Sequence, residues 1–124
     1  MVGELTEEMD ESDFLRMIKS EFGLQVIRHT PLLDKKVKKV ALCGGAGSFL
    51  IKNALFAGAD FYITGDIKYH EFFDAENRMV IADIGHWESE QFTVDLLHDV
   101  LRSKFTTFAV LKSKVKTNPV NYFM

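Results

Sequence analysis

The sequence contains little of several residue types, and each shortage excludes a class of protein. Its single cysteine, Cys43, cannot form an internal disulfide, which argues against a disulfide-stabilised secreted domain. Two prolines and eight glycines are too few for a collagen-like or low-complexity chain. The first ten residues are acidic and lack the basic start and apolar stretch of a signal peptide. We therefore expect a cytoplasmic protein.

An excess of positive charge and a long apolar run are also missing. The chain has 15 Lys plus Arg against 18 Asp plus Glu, a net charge of -3. Such a chain lacks the field that holds a nucleic-acid backbone, so nucleic acid is not an expected partner. The longest uncharged run, 40–51, is interrupted by glycines and is shorter than the roughly 20 apolar residues that a membrane helix needs. We expect no membrane association.

What is present suits one folded domain. Hydrophobic residues make up 47% of the chain and charged residues 27%, close to the averages of globular proteins. The length of 124 residues is that of a typical single domain. The polar composition of the N-terminus suggests a flexible acidic start over residues 1–11, followed by a single α/β domain over 12–124.

The order of apolar patterns predicts an α/β fold, with a largely parallel or mixed sheet covered by helices in βαβ units. Phe14, Ile18 and Phe22 recur every four residues and predict a first helix that ends at Gly23. Short runs rich in β-branched and aromatic residues then alternate with helical patterns. The predicted strands are 24–29, 37–43, 60–64, 79–83 and 107–111, and the later helices are 48–57, 68–77 and 88–104, the last with an apolar face of Phe92, Leu96, Leu97, Val100 and Leu101.

A glycine-rich segment follows the first central strand, at the sheet edge where ligands of α/β proteins usually bind. Gly44, Gly45, Gly47 and Ser48 lead into a predicted helix, where free backbone amides attract anions. The segment departs from nucleotide-binding patterns: Leu50 stands where a dinucleotide motif needs its third glycine, and a P-loop lysine is absent. These residues are candidates for binding an anion or substrate, and a tight turn without a ligand is the alternative.

The second central strand is followed by Thr64-Gly65-Asp66 and then by His70. An aspartate and a histidine four residues apart can converge on one point, and both serve as metal ligands or as acid and base. Asp66 and His70 are therefore candidate catalytic residues. The alternative is that Asp66 only caps the helix that contains His70.

The third central strand is followed by the motif Gly85-His86-Trp87-Glu88-Ser89-Glu90. His86 and Glu90 are four residues apart at a helix entrance, so their side chains can share one face and bind a divalent ion. Two ligands do not make a tight site. Further ligands must come from Asp66, His70, water or another part of a larger molecule.

Together these three motifs resemble the C-terminal part of the NIF-three-like family, many of whose members are called GTP cyclohydrolase I type 2 homologues. The resemblance covers nearly the whole chain. It implies an α/β fold with a two-metal site and assembly into hexamers. His86 and Glu90 match the last two metal ligands of the family, and the metal can be zinc, manganese or iron. The other ligands, a His-His pair and an aspartate, belong to the N-terminal half, and this sequence has no His-His pair.

The resemblance implies that the chain is the C-terminal lobe of a larger protein whose partners are its own N-terminal lobe and further copies of itself. The complete protein is then expected to be a metal-dependent hydrolase, with this lobe inactive alone. Asp66 and His70 match positions that line the family's cleft and are expected near the metals or the substrate. Two other hypotheses stay open: a non-catalytic regulatory or oligomerisation module, and a small-anion binder that uses Gly44, Gly45, Gly47 and Ser48.

Overall fold

The computed structural model describes residues 1–123, which fall into two compact units. The first unit spans Met1–Ser89 and contains the sheet, and the second begins at Glu90. The predicted α/β class is confirmed, with a mixed sheet and helices packed on it. A single α/β domain over 12–124 stays a prediction.

The first unit is built on a five-stranded sheet in the order β1-β3-β4-β5-β2. The central strands β3, β4 and β5 are parallel, and the edge strands β1 and β2 pair antiparallel with β3 and β5. Parallel strands end at the same edge of a sheet, so the residues after β3, β4 and β5 come together there. The strands are β1 (Val2–Asp10), β2 (Arg28–His29), β3 (Lys36–Ala46), β4 (Phe61–Gly65) and β5 (Val80–Asp83).

Helices cover both faces of this sheet because side chains alternate along each strand. Phe61 of β4 faces α1 and meets the Phe14 ring edge-on, with ring centroids 4.8 Å apart. Its neighbour Tyr62 faces the opposite side and packs in a cluster with Ile51 and Leu55 of α2. The helices are α1 (Glu11–Glu21), α2 (Ile51–Phe56), α3 (His86–Glu90) and α4 (Thr93–Lys104), with 3₁₀ helices at Ser48–Leu50 and Tyr69–Ala75.

The N-terminal residues form a strand where the sequence suggested a flexible start. Val2 pairs with Ala41, and Asp10 pairs with Lys36 of β3. The charged composition of β1 is compatible with its position, because edge strands tolerate charged side chains that discourage pairing with other molecules. The prediction of a flexible segment over 1–11 was therefore wrong: polarity indicated exposure to solvent, and the exposed element is an edge strand.

Two other predicted elements also differ from the structure. The predicted helix over 68–77 is the 3₁₀ helix Tyr69–Ala75. The predicted strand over 107–111 is absent, and residues 105–123 contain neither helix nor strand. A strand needs a partner, and in residues 90–123 there is none to pair with. Among the described residues, no helix has the length and apolar character needed to cross a membrane.

Candidate functional site

The carboxyl edge of the parallel strands brings two of the candidate residues together. Asp66 directly follows β4, and His86 is the first residue of α3, shortly after β5. The Asp66 Oδ2 atom lies 2.6 Å from Nδ1 of His86, within hydrogen-bonding distance. Both side chains are about half exposed, at 54% and 52%. A ligand at this edge therefore has access to the pair.

The backbone around this pair is closely packed. Gly65 lies so close to the next strand end that a Cβ atom there would lie 2.9 Å from the Gly85 carbonyl carbon and from the His86 nitrogen. Asp66 has a φ of 56°, in the left-handed region, and Gly85 has a φ of 92°. Aspartate tolerates this region better than most residues, and glycine adopts it without steric cost. The ends of β4 and β5 thus meet backbone to backbone.

A buried carboxylate, Asp83, ties the two strand ends together. It is 4% exposed. Its Oδ1 accepts the Gly85 N–H at 3.0 Å, and its Oδ2 accepts the Ile67 N–H at 3.0 Å. The Arg28 guanidinium pairs with the same carboxylate and also donates to the Ile67 carbonyl at 2.9 Å. One side chain therefore holds the residue after Asp66 and the residue before His86.

Asp83 and Arg28 are not among the site residues predicted from the sequence. The apolar pattern predicts only that Asp83 ends a strand, whereas an acidic residue directly after a buried Val-Ile-Ala run needs polar partners. This need for polar partners is the feature of the sequence that indicates a structural role for Asp83. Arg28 lies opposite Asp83 in the β2–β5 pairing, a relation that only the tertiary structure reveals.

The glycine-rich segment belongs largely to the end of β3 and not to a turn before a helix. Gly45 has a φ of 67° and lies in an irregular stretch of the β3–β4 pairing between Leu42 and Ala46. Its N–H donates to Ser89 Oγ at 2.8 Å, and its carbonyl accepts the Thr64 hydroxyl at 3.1 Å. This amide is thus already partnered. Anion binding by Gly44, Gly45, Gly47 and Ser48 stays a prediction.

Gly47 is a second position where backbone and side chains meet too closely for a Cβ atom. Such an atom would lie 2.6 Å from the Tyr62 hydroxyl and still closer to Thr64 Oγ1. The Tyr62 O–H donates to the Gly47 carbonyl at 2.7 Å. Burial raises the pKa of Tyr62 to about 12. The hydroxyl therefore remains a protonated donor throughout the physiological range.

His70 lies in the 3₁₀ helix Tyr69–Ala75 and is exposed. Its ring packs edge-on against Tyr69, with centroids 5.2 Å apart. The helix is capped by Lys68, whose N–H donates to the Glu71 carboxylate at 2.8 Å. That bond, assisted by the Ser48 hydroxyl, lowers the pKa of Glu71. The alternative role of Asp66 as the cap of this helix was therefore wrong, and a shared cleft for His70 and Asp66 stays a prediction.

The donor chemistry of this edge fits part of a metal site. A histidine whose ring N–H is held by a carboxylate is the usual arrangement at protein metal ions. Within residues 1–123, however, no group of three or more His, Cys, Asp or Glu side chains is placed to hold a metal ion. Glu90 is the last residue of α3 and the first of the second unit. A complete site would need ligands from outside this cluster.

Comparison with known proteins identifies the family. The Duf34/NIF3 (NGG1p interacting factor 3) family matches residues 1–119. The chain belongs to the Duf34/NIF3 family. This confirms the resemblance seen in the three motifs, and the NIF3 match extends from β1 through α4.

Several relatives and solved structures are similar to this chain over most of its length. A GTP cyclohydrolase 1 type 2 homolog of Staphylococcus epidermidis is 31% identical over 126 residues, covering 98% of this chain and 34% of the relative. A protein of the same name from Clostridium perfringens is 40% identical over 90 residues, covering 72% and 34%. The crystal structure of a Bacillus cereus protein related to NIF3 superimposes with a TM-score of 0.82 at 33% identity, covering 98% and 35%. The chain thus spans about a third of the length of the curated relatives it matches.

Proposed function

We propose that this chain is a lobe of a NIF3 family protein that contributes ligands to a two-metal site, and that the complete protein is a metal-dependent hydrolase. The observation that carries the proposal is the hydrogen bond between Asp66 and His86 at the carboxyl edge of the parallel strands. This edge is where α/β proteins usually bind ligands. Membership of the NIF3 family, with relatives named as cyclohydrolase homologues, supports it.

In this proposal His86 and Glu90 are the ligands that the chain supplies. Their spacing of four residues along α3 suits two donors on one helix face. The remaining ligands would come from the N-terminal lobe, which accords with a chain that spans about a third of its relatives. Zinc, manganese and iron all accept imidazole and carboxylate ligands. The chain would act in the cytoplasm, where its single cysteine, Cys43, stays reduced.

The residues of this lobe would bind and orient the reacting groups. When bound, divalent metal ions activate water and polarise the substrate. Asp66 or His70 would carry protons at the rim of the site, and both are exposed to an incoming substrate. Gly44, Gly45, Gly47 and Ser48 would lie against an anionic part of the substrate, and the Gly45 amide could serve there only by exchanging its bond to Ser89.

Equilibrium dialysis of the chain with zinc and manganese tests the proposal. We expect weak binding of fewer than two ions per chain, because most coordination positions fall to water. H86A should abolish this binding, and E90Q should weaken it. H98A is the matched control, since it removes another imidazole that lies beside a carboxylate, Asp99. An H86A variant that binds zinc as the parent chain does would contradict the proposal, as would two tightly held ions per chain.

A second candidate function, assembly, is favoured by the exposed apolar side chains of α4. None of the described residues of this helix is buried, and Leu96 and Leu97 are 64% and 55% exposed. Contiguous exposed apolar surface usually marks a contact site. We propose that α4 packs against the N-terminal lobe or a further copy of the chain in a homo-oligomer. Light scattering over a concentration series tests this, and a strictly monomeric chain that binds no hydrophobic dye would contradict it.

A further inference from the structure

The bond between Asp66 and His86 is not accounted for by stability alone. Both side chains are about half exposed, and ion pairs in such positions typically contribute about 0–1 kcal/mol. Yet the backbone next to both residues adopts unusual conformations that bring the two side chains together. Asp66 adopts a left-handed conformation, and the residue before His86 is a glycine with a φ of 92°.

One buried carboxylate, that of Asp83, holds the residues next to Asp66 and His86. The Asp83 carboxylate accepts the N–H groups of Ile67 and Gly85, the immediate neighbours of Asp66 and His86. On the far side of His86, the Ser89 hydroxyl donates to the His86 carbonyl at 2.7 Å. These bonds therefore fix the position of the Asp66 backbone relative to the His86 backbone. An orientation maintained in this way can select which atoms of the two side chains meet.

The atoms that meet decide the chemistry of the imidazole. Asp66 Oδ2 lies against Nδ1 of His86 at 2.6 Å. A carboxylate accepts a hydrogen bond, so in a neutral ring the proton lies on Nδ1 and the lone pair lies on Nε2. A ring in this tautomer binds a metal ion through Nε2.

We propose that Asp66 is a positioning residue that holds His86 in the Nδ1–H tautomer and thereby makes Nε2 the metal-ligating nitrogen. This inference rests on the proposed metal site. Of the two candidate proton carriers it leaves His70, because the Asp66 carboxylate stays hydrogen-bonded to the Nδ1–H of His86. It also explains why a carboxylate follows β4 at this point although the nearby helix is capped by Lys68.

The first arm of the test measures the tautomer in the metal-free chain. ¹⁵N NMR of labelled histidine at about pH 8, above the ordinary histidine range, distinguishes the two tautomers of a neutral ring. We expect His86 to be protonated on Nδ1 in the parent chain and to shift toward the Nε2–H tautomer in D66A. D66N keeps an acceptor oxygen without the charge, so it should retain more of the Nδ1–H form. D99A is the matched control, because Asp99 lies 3.1 Å from Nδ1 of His98 and outside the site.

The second arm measures zinc affinity by calorimetry on the same variants. D66A should bind zinc about 10-fold to 100-fold more weakly, the usual effect of removing a carboxylate that holds a ligating histidine. D66N should fall between D66A and the parent chain, and D99A should bind as the parent chain does. Circular dichroism checks that each variant is folded. If D66A does not fold, the comparison of D66N with the parent chain tests the inference.

The two arms separate the failure of this inference from the failure of the proposed function. An unchanged His86 tautomer in both D66A and D66N overturns the positioning role, whatever the zinc affinity. A zinc affinity that is the same in H86A and the parent chain overturns the metal site itself. In that case the tautomer arm still reports on the hydrogen bond but no longer on metal binding, and the inference falls with the proposed function.

Discussion

The helices α1 and α4 have similar lengths and similar apolar patterns, yet the apolar side chains of α1 are buried or half-buried and those of α4 are exposed. In α1, Phe14 and Ile18 are 2% and 3% exposed, because they pack on the sheet. In α4, Leu96 and Val100 have the same four-residue spacing but are 64% and 43% exposed. Apolar periodicity places side chains on one face of a helix in both cases. It does not supply the surface that covers them.

The comparison shows that burial in this chain depends on the sheet. The apolar residues of the first unit surround β3, β4 and β5 in two clusters, one on each face. The described residues of the second unit contain no strand. If the comparison holds in solution, equivalent substitutions in the two helices must have unequal effects.

The largest expected effect is that of F14A. Phe14 is buried and meets Phe61 edge-on, so its removal should lower the free energy of unfolding by about 3–5 kcal/mol. Urea denaturation followed by circular dichroism measures the change. The control is L97A in α4, measured at concentrations where the chain is monomeric, because truncating a side chain that is exposed in the single chain should cost less than about 0.5 kcal/mol. A loss from L97A as large as that from F14A would mean that α4 is covered in solution.

The next largest effect is expected for G65A. A Cβ atom at Gly65 would press on the backbone of Gly85 and His86, which cannot move aside as a flexible side chain can. Overpacking of this kind typically costs about 1–3 kcal/mol. G3A is the matched control, because nothing lies within 4 Å of a Cβ atom at Gly3 on the edge strand β1. Equal unfolding midpoints for the two variants would show that the strand ends are looser than the structure indicates.

Y62F should have a smaller effect and a pH signature. Removing the hydroxyl leaves the Gly47 carbonyl without its 2.7 Å donor and should cost about 1 kcal/mol near neutral pH. Burial raises the pKa of Tyr62 to about 12, above the ordinary value of 10.0. The unfolded chain therefore loses this proton first, and the contribution of the protonated hydroxyl, complete below about pH 10, is lost as the pH rises toward 12.

The measurement for Y62F is the unfolding midpoint in urea between neutral and alkaline pH. The parent chain should lose more stability over that range than Y62F does. Y69F is the control, because Tyr69 is 72% exposed and its removal should not alter the alkaline slope. Parallel slopes for the parent chain and Y62F would show that Tyr62 does not titrate differently in the two states.

The smallest effect is expected for K112Q in the second unit. Lys112 donates to Asp95 at 2.7 Å, and this bond lowers the pKa of Asp95. Both side chains are largely exposed, so the unfolding midpoint at neutral pH should hardly change. An NMR titration of Asp95 should nevertheless show its pKa rising back toward the ordinary value of 3.8. The pair stabilises only above the carboxyl range, and that small contribution is lost on acidification. A pKa that stays low in K112Q would assign the shift to another group.

Much of the site could be predicted because its motifs follow strands. Thr64-Gly65-Asp66 and Gly85-His86 come directly after buried runs, and parallel strands bring their ends to one edge. The convergence of Asp66 and His86 follows from that rule. The rule does not specify which atoms meet, and it gives no sign that Ser89 would take up the Gly45 amide.

The errors share one cause, which is that a pattern does not identify its partner. Residues 1–11 are predicted to be flexible because they are polar, but residues 2–10 pair with β3 at the edge of the sheet. Residues 107–111 are predicted to form a strand because they are apolar, but the described part of the second unit contains no strand with which they could pair. Strand formation requires hydrogen bonds to another segment, so composition alone is a weak guide to it.

The sequence by itself determined the α/β class, the order of the central strands and helices, and the positions of the three motifs, because these depend on local periodicity and on residues adjacent in the chain. Only the tertiary structure decided that Asp83 would hold the neighbours of Asp66 and His86, that β1 would close one edge of the sheet, and that α4 would leave its apolar face exposed. Each of these depends on a contact between segments far apart in sequence. Such contacts form only when the folded chain supplies a partner at the right distance, and no local pattern specifies that distance.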